Sequence, residues 1–571
     1  MKKIAMLTVK GAVSLMPDSL KKGLKRNRRL TEFYSQSLHR SGLFYGRPSN
    51  KKLQMLYQQR LSVQEAELAL LPDSQSKLLL FISGTDRTAI EASIDAISNK
   101  EIDWVSIYVD DSININKLQI SHQKITILSY SSYQNENNIP VFCIRAGDLV
   151  IESRFAKVLS KSLETDASIV YFDWHHSDRR GKAINEQLLP DWNPDYQLSA
   201  GYIKTAVLLL KPGSLFDLSK PTDLRTDLSW WIAGFHNRNF SIGHLAYSVL
   251  ACNQTMPAVT SDLNKIASAA GAGASAVIND KAGVVSQMWK LDTSPLVSLI
   301  IPTFNGKELV KACIESILNK TTYNNYEILL IDNNSDDPEC LKYFSELSKH
   351  KKVRMLKYPH PFNYSAINNF AVEHANGEII GLINNDIEVI TPQWLEFLAG
   401  HAIREEIGCV GAKLLYSDER IQHAGVVLGY GGGAGHAHKY FPRQHPGYMN
   451  RLIATQNYSA VTAACLFVKK SKYLEVGGLN EVDLHVAFND VDFCLKVLET
   501  GVRNLYCAEA ELYHHESVSR GLDISEEKAA RFNRELKYLK TKWDKYIKQD
   551  PAYNRNLTLK RENFAIKGRN E

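Results

Sequence analysis

The chain has 571 residues, of which 44% are apolar and 23% are charged, close to the averages of globular proteins. This composition excludes a disordered, fibrous or low-complexity chain, and the length favours three or four folded units over one. No stretch approaches the ~18 consecutive apolar residues that a membrane span requires. The eight cysteines include no CxxC pair, which favours reduced thiols in a cytosolic protein over disulfides or a zinc site.

The net charge of +6 is unevenly distributed along the chain. Residues 1–60 carry 14 of the 68 Lys and Arg residues but only two of the 62 acids, so their excess is +12 and the remainder has −6. Five apolar side chains recur among these charges at roughly helical spacing: Leu20, Leu24, Leu30, Tyr34 and Leu38. We predict a basic helical N-terminal arm over 1–75. It either docks on an anionic membrane surface or packs on the protein, and no recognisable nucleic-acid-binding module accompanies the charge.

Beyond this arm, short β-rich runs alternate with helical patterns, which is typical of parallel α/β sheets. The alternation occurs over 76–260 and starts again over 296–530. An Ala/Gly/Ser-rich stretch within 261–295 predicts a linker between the two units. Residues 531–571 are predicted to form a C-terminal helix and tail.

The two units also share motifs, which indicates an internal duplication. Three pairs occur in the same order: IYVDDS (107–112) with LIDNNS (330–335), AGDLVIESRF (146–155) with NNDIEVITPQW (384–394), and TDLSWWIAG (226–234) with NDVDFCLKV (489–497). The sequence therefore predicts two α/β domains of one kind in tandem.

Several motifs of the second unit resemble those of an inverting family 2 glycosyltransferase with the GT-A fold. They are VSLIIPTFNGKELVKACIESIL (297–318), EILLIDNNSDD (327–337), GEIIGLINNDIEVITPQWLE (377–396), FNDVDFCLKVLETG (488–501) and AELYHHESVSRG (510–521). The resemblance implies tandem GT-A domains, which are Rossmann-like and have mostly parallel sheets. The first unit and DPAYNRNLTL (550–559) are similar to large two-domain bacterial members, including rhamnosyltransferase-like ones, that build O-antigen or capsule.

A sugar nucleotide loses its sugar as a nucleoside diphosphate departs, so the site must neutralise negative charge. A hard divalent cation with oxygen ligands can do this. Asp386 follows an apolar strand at its carboxyl end, where open α/β sheets bind ligands. By resemblance it is the last acid of the DXD motif, here Asn384-Asn385-Asp386, and His514 is a further ligand in preference to His515. The resemblance thus implies Mg²⁺ or Mn²⁺ held by Asp386 and His514.

The resemblance also implies a binding site for the nucleotide-sugar donor. Its residues would come from the ends of three strands: Pro302, Thr303, Asn305, Asp332, Asn384 and Asn385. For Asp332, an Asx-turn without a ligand is the structural alternative.

The acceptor hydroxyl needs a base as it attacks the anomeric carbon, and such help contributes ~10²–10⁴-fold. Asp490 opens the helical run 491–500, where a helix N-terminus favours an ionised carboxylate. The resemblance implies that Asp490 is this catalytic base, although Asn489 replaces the usual preceding Glu. Asp490 could instead act only as a cap, and Asp492 is a lesser candidate for the base.

A glycine-rich stretch from Gly429 to Gly435 is followed by His436 and Lys439. It does not fit a phosphate-binding P-loop, because no GK[ST] follows. We interpret it either as a loop that lines the acceptor cleft or as a plain glycine loop.

The first unit retains only some of the candidate site residues of the second unit. Asp148 and Asp227 stand where the second unit has acids, but roughly Ser248 stands in the place of His514. We therefore predict that the first GT-A domain is degenerate.

These features predict a metal-dependent inverting hexosyltransferase that acts on a lipid-linked or growing glycan in surface-polysaccharide synthesis. A dual-activity synthase with two active domains, and a non-catalytic glycan-binding scaffold, are the alternatives. The expected location is cytoplasmic, peripheral on the inner face of the cytoplasmic membrane through the basic arm, with no nucleic-acid partner.

Overall fold

A computed structural model of the protein contains two large β-sheets flanked by helices. Besides seven scattered residues before 48, the structure describes residues 48–72, 76–97, 100–120, 125–133, 138–178, 183–212, 228–236, 240–252, 260–279, 282–515, 526–569 and 571. No helix within these ranges has both the length and the apolar character needed to cross a bilayer.

The first domain is built around a sheet with the strand order β3-β2-β1-β4-β8-β6-β9-β5, and β7 pairs with β6. Its strands are β1 Lys77–Ser83, β2 Asp103–Val109, β3 Thr126–Ser129, β4 Val141–Arg145, β5 Asp148–Val150, β6 Ile169–Ser177, β7 Ala183–Gln187, β8 Val207–Leu209 and β9 Ile242–Cys252. The helices up to this point are α1 Asn50–Leu68, α2 Arg87–Asp95, α3 Glu152–Leu163, α4 Pro194–Ala200 and α5 Leu228–Ala233.

The segment between the two domains is folded, whereas the sequence predicts a linker over 261–295. It forms helix α6 Thr260–Ala269 and the hairpin of β10 Ala274–Asn279 and β11 Val284–Trp289. Leu263 and Ile266 lie one helical turn apart and bury themselves against Val285 of the hairpin. A few apolar residues at helical spacing are therefore enough to order an Ala/Gly/Ser-rich segment when neighbouring surfaces cover them.

The second domain has the strand order β14-β13-β12-β15-β22-β17-β23-β16. Its strands are β12 Val297–Thr303, β13 Tyr326–Asp332, β14 Val353–Lys357, β15 Ile379–Ile383, β16 Ile387–Val389, β17 Ile407–Leu415, β18 Ile421–His423, β19 Val426–Leu428, β20 Ala434–His436, β21 Gln456–Asn457, β22 Cys465–Lys469 and β23 Arg503–His514. Its helices are α7 Lys307–Lys320, α8 Pro338–Leu347, α9 Tyr364–His374, α10 Trp394–Ala402, α11 Lys470–Glu475, α12 Asn489–Leu498, α13 Glu526–Lys542 and α14 Asp544–Lys548.

The two sheets have the same strand order when the strands of each domain are numbered in turn and the short strands β19, β20 and β21 of the second domain are left out. In both, the fourth strand pairs in parallel with the first and antiparallel with a later strand, β8 or β22. A short strand after the fourth, β5 or β16, pairs antiparallel with the last long strand. The predicted fold class of two α/β domains of one kind is confirmed.

Within the N-terminal segment, residues 50–68 form a helix that packs one face against the rest of the protein. α1 buries Leu53, Tyr57 and Leu61 in a cluster that includes residues of both domains. The Tyr57 hydroxyl donates to Ser248 Oγ at 2.9 Å, and Arg60 Nε donates to Asn556 Oδ1 at 2.7 Å. Residues 50–68 therefore brace the two domains. Except for Leu20, the apolar positions of the predicted basic helix lie outside the described residues.

The C-terminal tail also joins the two domains. The Asp550 carboxylate accepts from the Leu428 backbone N–H of the second domain at 2.8 Å. The Asn554 side-chain amide donates to both carboxylate oxygens of Asp173 in the first domain at 3.0 Å. Because all four residues are buried, these bonds hold the tail in the cleft between the domains.

Candidate active site

The predicted donor side lies at the carboxyl ends of the central parallel strands. Thr303 ends β12 and is the register partner of Asp332, which ends β13. The Asn385 side-chain amide donates to Thr303 Oγ1 at 3.2 Å. Asp332 Oδ1 accepts from the Ser335 N–H at 2.9 Å, three residues on, so its carboxylate stabilises the loop after β13. The structure brings these three side chains together, and their contact with a nucleotide stays a prediction.

Asn305 has a different environment from that of its predicted partners. It adopts a left-handed backbone conformation with φ of 50°. Its Oδ1 accepts from the backbone N–H groups of Asp336 and Asp337 at 3.0 Å, and its Nδ2 donates to Asp336 Oδ1 at 2.8 Å. Asn305 thus ties the loop after β12 to the loop after β13. Pro302, just before it, is half-buried.

The DXD-like segment and the predicted histidine meet where β16 pairs with β23. Ile387 is the register partner of His514, so the end of β23 lies beside the turn that carries Asp386. His514 Nε2 is 3.1 Å from Asp386 Oδ1, and the Asn384 side-chain amide is 3.2 Å from the same nitrogen. The side chains of His514 and Asp386 are 10% and 7% exposed, so both are largely withdrawn from solvent.

A glutamine orients this histidine. His514 Nδ1 lies 2.7 Å from Gln422 Oε1, and an amide oxygen can only accept, so the Nδ1 atom carries the proton. In the neutral imidazole, Nε2 is then an acceptor that lies 3.2 Å from the Asn384 amide, which can donate to it, and 3.1 Å from the Asp386 carboxylate. Two electron-donating atoms at this distance repel each other unless a cation or a proton lies between them.

The residues present fit a divalent cation that completes its ligand shell from the substrate. A carboxylate, an imidazole and an outer hydrogen bond that sets the tautomer are a common ligand arrangement, with diphosphate oxygens and water as further ligands. Within the described ranges, no group of three or more His, Cys, Asp and Glu side chains could hold a metal. The ion would therefore depend on the nucleotide as well as on Asp386 and His514.

His515, the alternative to His514, points to a different set of partners. Its Nδ1 lies 2.7 Å from Ser417 Oγ and its Nε2 lies 3.3 Å from Glu388. Neighbouring residues of an extended strand project to opposite faces, so only one of the two imidazoles can face Asp386. The geometry favours His514.

Asp490 lies in the first turn of α12 and is half-buried. Its carboxylate accepts from the Ala463 N–H at 3.1 Å and from the Val491 N–H at 2.9 Å. Burial raises the pKa of Asp490 above its usual value, and the opposing hydrogen bonds do not cancel that effect. The N–H of Val491 at the helix N-terminus lowers this pKa, as a helix N-terminus should, but burial raises it by more.

Asp492, the lesser candidate for the base, faces the C-terminal helices instead. It is fully buried, and its Oδ1 accepts from Lys542 Nζ and from Trp543 Nε1, both at 2.8 Å. The Asp492 carboxylate therefore stabilises the packing of the C-terminal end of α13 against α12.

A cleft of about 380 Å³ brings together Asn384, Asp490 and His514. The lining residues that sequence reasoning missed include Gln422 and Phe532. Neither stands in a recognisable motif, and each reaches the cleft from an element distant in sequence, so no local signal could have found them. The interpretation of the glycine-rich stretch as cleft lining is supported, because Ala434, Gly435, His436 and Lys439 line the same cleft.

The first domain lacks the equivalent of His514. By strand pairing, Leu149 with Ala251 corresponds to Ile387 with His514, so Ala251 rather than Ser248 stands at that position. The position predicted from the sequence, Ser248, is three residues away from Ala251, because the sequence alone does not show how the strands pair. Asp227 lies outside the described residues.

Asp148, the counterpart of Asp386, has partners within its own domain. Its Oδ2 accepts from Thr205 Oγ1 at 2.5 Å and from the Arg145 backbone N–H at 3.1 Å. The Arg145 guanidinium Nε lies 3.8 Å from the same oxygen. A permanent cation of the protein therefore sits beside this buried acid.

Comparison with known proteins identifies the second domain. Residues 298–470 match the family model described as Glycosyl transferase family 2. The second domain is a family 2 glycosyltransferase domain, and the resemblance of its motifs is confirmed. The matched residues include Asp332 and Asp386 and end before Asp490 and His514.

Curated relatives extend the similarity beyond this domain. An uncharacterized protein of Sinorhizobium fredii is 40% identical over 425 residues, which are 70% of this chain and 46% of that protein. An O-antigen biosynthesis protein of Myxococcus xanthus is 32% identical over 421 residues, 69% of this chain and 32% of that protein. The chain thus spans less than half the length of either relative.

Two solved structures are similar over part of the chain. A mannosyltransferase from Pyrobaculum calidifontis, in complex with GDP-Man and Mn²⁺, is 17% identical over 42% of this chain and 63% of its own, with a TM-score of 0.32. GalNAc-T7 with UDP, GalNAc and Mn²⁺ is 12% identical over 47% of this chain and 52% of its own, with a TM-score of 0.37. At these scores the overlap carries no argument about individual residues.

Proposed function

We propose that the second domain transfers a hexosyl group from a nucleoside-diphosphate sugar, with inversion, to a lipid-linked or growing glycan in surface-polysaccharide synthesis. The observation that carries this proposal is the convergence of Asp490, Asn384 and His514 on one cleft, with Asp386 3.1 Å from the imidazole. The printed name of the Myxococcus xanthus relative, an O-antigen biosynthesis protein, supports the choice of pathway.

In this proposal the donor lies along the carboxyl ends of the central strands. Thr303, Asp332 and Asn385 would contact the nucleoside, with Pro302 and Asn305 shaping the adjacent loop and Asn384 beside the diphosphate. Asp386 and His514 would hold Mg²⁺ or Mn²⁺, and Gln422 would keep the His514 lone pair directed at the ion. When bound, the cation neutralises the charge that develops on the departing diphosphate.

Asp490 takes the proton of the acceptor hydroxyl as that oxygen attacks the anomeric carbon from the side opposite the diphosphate. Burial suits this role, because a carboxylate with a raised pKa is a stronger base than an exposed one. The hydrogen bonds from Ala463 and Val491 hold the carboxylate in place without removing its capacity to accept a proton.

The residues of the first domain favour a protein with one active site over a dual-activity synthase with two. Ala251 cannot bind a metal, and Arg145 already neutralises Asp148. The complete set in the second domain argues against a purely non-catalytic scaffold.

Titration calorimetry against UDP-, GDP- and dTDP-sugars with Mg²⁺ or Mn²⁺, followed by product analysis with the best donor, tests this function. We expect metal-dependent donor binding, and an inverted glycosidic linkage in the product. Absence of binding for every donor, or full turnover by Asp490→Asn, would contradict the proposal.

We also propose that the protein works at the inner face of the cytoplasmic membrane. The basic excess before residue 48 would attract anionic headgroups at about 1 kcal/mol per engaged Lys or Arg. Because residues 50–68 are packed between the domains, this role falls to the residues before them.

A further inference from the structure

We propose that Phe488 and Phe532 form an aromatic platform on which a pyranose ring of the acceptor stacks. This inference rests on the proposed function and names the acceptor as a saccharide rather than a bare lipid phosphate. Both rings line the cleft that contains Asp490, and their centroids are 5.3 Å apart at an interplanar angle of 45°.

The Phe532 side chain is exposed at the cleft and is not buried in the hydrophobic core. It is 40% exposed on helix α13, and it reaches the cleft from outside the segment that the family model matches. Phe488 immediately precedes α12 and has a left-handed φ of 60°, a conformation that is strained for a bulky residue. Such strain persists only where neighbouring structure holds the residue in place.

Helix α13 is held at two points, on the segment just before α12 and on α12 itself, which fixes the platform next to the base. The Glu535 carboxylate, 2% exposed, accepts from the backbone N–H groups of Val486 and Ala487 at 3.2 and 2.8 Å. Farther along the chain, Lys542 and Trp543 both donate to Asp492. The two rings and the start of α12 therefore form one rigid unit.

The glycine hairpin closes against the same unit. A Cβ atom on Gly433 would lie 2.7 Å from Leu536 Cδ1 and 3.9 Å from the Phe488 ring. A methyl group there would displace the Leu536 side chain, which glycine leaves in place. The hairpin thus forms a wall beside the platform, with His436 and Lys439 as polar groups in the cleft.

The mixture of groups favours a sugar over an isoprenyl chain. Aromatic faces carry negative charge density, which attracts the polarised C–H groups on the apolar face of a pyranose. Its hydroxyls would meet Lys439, His436 and Asp490 on the remaining walls, whereas an isoprenyl chain would strip water from these polar groups without replacing their hydrogen bonds. Phe488 is two residues before Asp490, so a stacked ring would bring its hydroxyl beside the base.

The test uses the full chain and saturation-transfer NMR with methyl glycosides of glucose, N-acetylglucosamine, mannose, galactose and rhamnose. Farnesyl phosphate serves as the lipid probe. Measurements are made alone and with Mg²⁺ plus UDP, GDP or dTDP. We expect at least one glycoside to bind, with saturation concentrated on the C–H groups of one ring face. Phe532→Leu keeps the apolar volume but removes the aromatic face, and should weaken binding roughly 3- to 10-fold. Phe532→Trp should preserve it.

Binding of no glycoside by the wild type, or equal binding by Phe532→Leu and the wild type, overturns the inference. Binding of farnesyl phosphate that Phe532→Leu retains, without glycoside binding, assigns the surface to a lipid and also overturns it. Nucleotide binding in the same samples separates this failure from failure of the proposed function. If no nucleoside diphosphate binds with Mg²⁺, the donor site itself is wrong.

Discussion

The two domains have one strand order but give the acid after their fourth strand opposite surroundings. In the second domain, Asp386 lies 3.1 Å from an imidazole nitrogen that is an acceptor. In the first, Asp148 accepts from Thr205 and lies beside the Arg145 guanidinium. One acid therefore has a guanidinium beside it, whereas the other has an imidazole. The partners of this one carboxylate distinguish the two domains.

The domains also differ in what surrounds the sheet edge. In the second, residues of the hairpin β19–β20 and of helix α13 line the cleft that contains Asp490 and His514. This hairpin lies between β18 and β22, whose counterparts in the first domain are β7 and β8. Between β7 and β8 the described residues form the short helix α4, which packs against the β10–β11 hairpin and against β21 of the second domain. The first domain thus uses for domain contact the region that the second uses for its cleft.

Matched substitutions of the two acids provide the largest contrast. Asp386→Asn should reduce transfer to below detection, because the site loses a metal ligand and several kcal/mol of charge stabilisation. Asp148→Asn, assayed in parallel, should leave transfer and metal-dependent nucleotide binding in place. A different or shorter product from Asp148→Asn would instead favour two active domains. Wild-type turnover in excess EDTA would contradict the metal requirement.

Asp490→Asn should lower kcat by roughly 10²-fold or more while donor affinity changes little, because the amide keeps the geometry but cannot take a proton. Asp492→Asn is the control on the same helix and should mainly lower the melting temperature, since Lys542 loses its charged partner. Steady-state kinetics on folded protein separate the two. A larger kcat loss in Asp492→Asn would show that the base is misassigned.

Gln422→Met tests whether the histidine is oriented for a metal. Loss of the acceptor for Nδ1 should weaken Mn²⁺ affinity by about 10- to 100-fold, as removal of outer-shell partners does at metal sites. Gln422→Glu, which can still accept from Nδ1, should retain most of the affinity. Titration of Mn²⁺ by electron paramagnetic resonance, in the presence of a nucleoside diphosphate, measures this. Equal affinities in Gln422→Met and the wild type would mean that His514 does not bind the ion.

Deletion of residues 1–47 tests membrane docking without cutting into α1. Co-sedimentation with anionic vesicles should fall, and the intact protein should dissociate as salt rises, because the attraction is electrostatic. Nucleotide-sugar binding should be unchanged. Binding of the intact protein that is insensitive to salt, together with a lower melting temperature after deletion, would favour packing of the segment on the protein.

The smallest expected effect concerns pH. Because burial raises the pKa of Asp490, its folded form holds a proton more readily than the unfolded chain does. The acid limb of kcat should therefore lie at higher pH than for an exposed aspartate. The same shift costs stability as pH rises through the folded pKa, so Asp490→Asn should melt no lower than the wild type at pH 7 to 8. If Asp490→Asn melted below the wild type at pH 7 to 8 but not at acid pH, the direction of the Asp490 pKa shift would be contradicted.

The sequence was enough to predict the duplication, the fold class and the acids at the strand ends, because each of these depends on local pattern. Periodicity of apolar residues sets strands and helices; Asp332 ends one buried strand and Asp386 lies in the turn after another. The fold of the connector could not be predicted, since its few apolar residues are covered by one another and by Trp230, a residue distant in sequence.

The choice between neighbouring candidates was decided by tertiary structure alone. His514 and His515 have the same chemistry, and only the register of β23 against β16 turns the first toward Asp386. Asp490 and Asp492 share a helical turn, and only the docking of α13 assigns the second to Lys542 and Trp543. Sequence spacing specifies which residue types recur along an element, whereas the face that meets the cleft depends on what packs against the other faces.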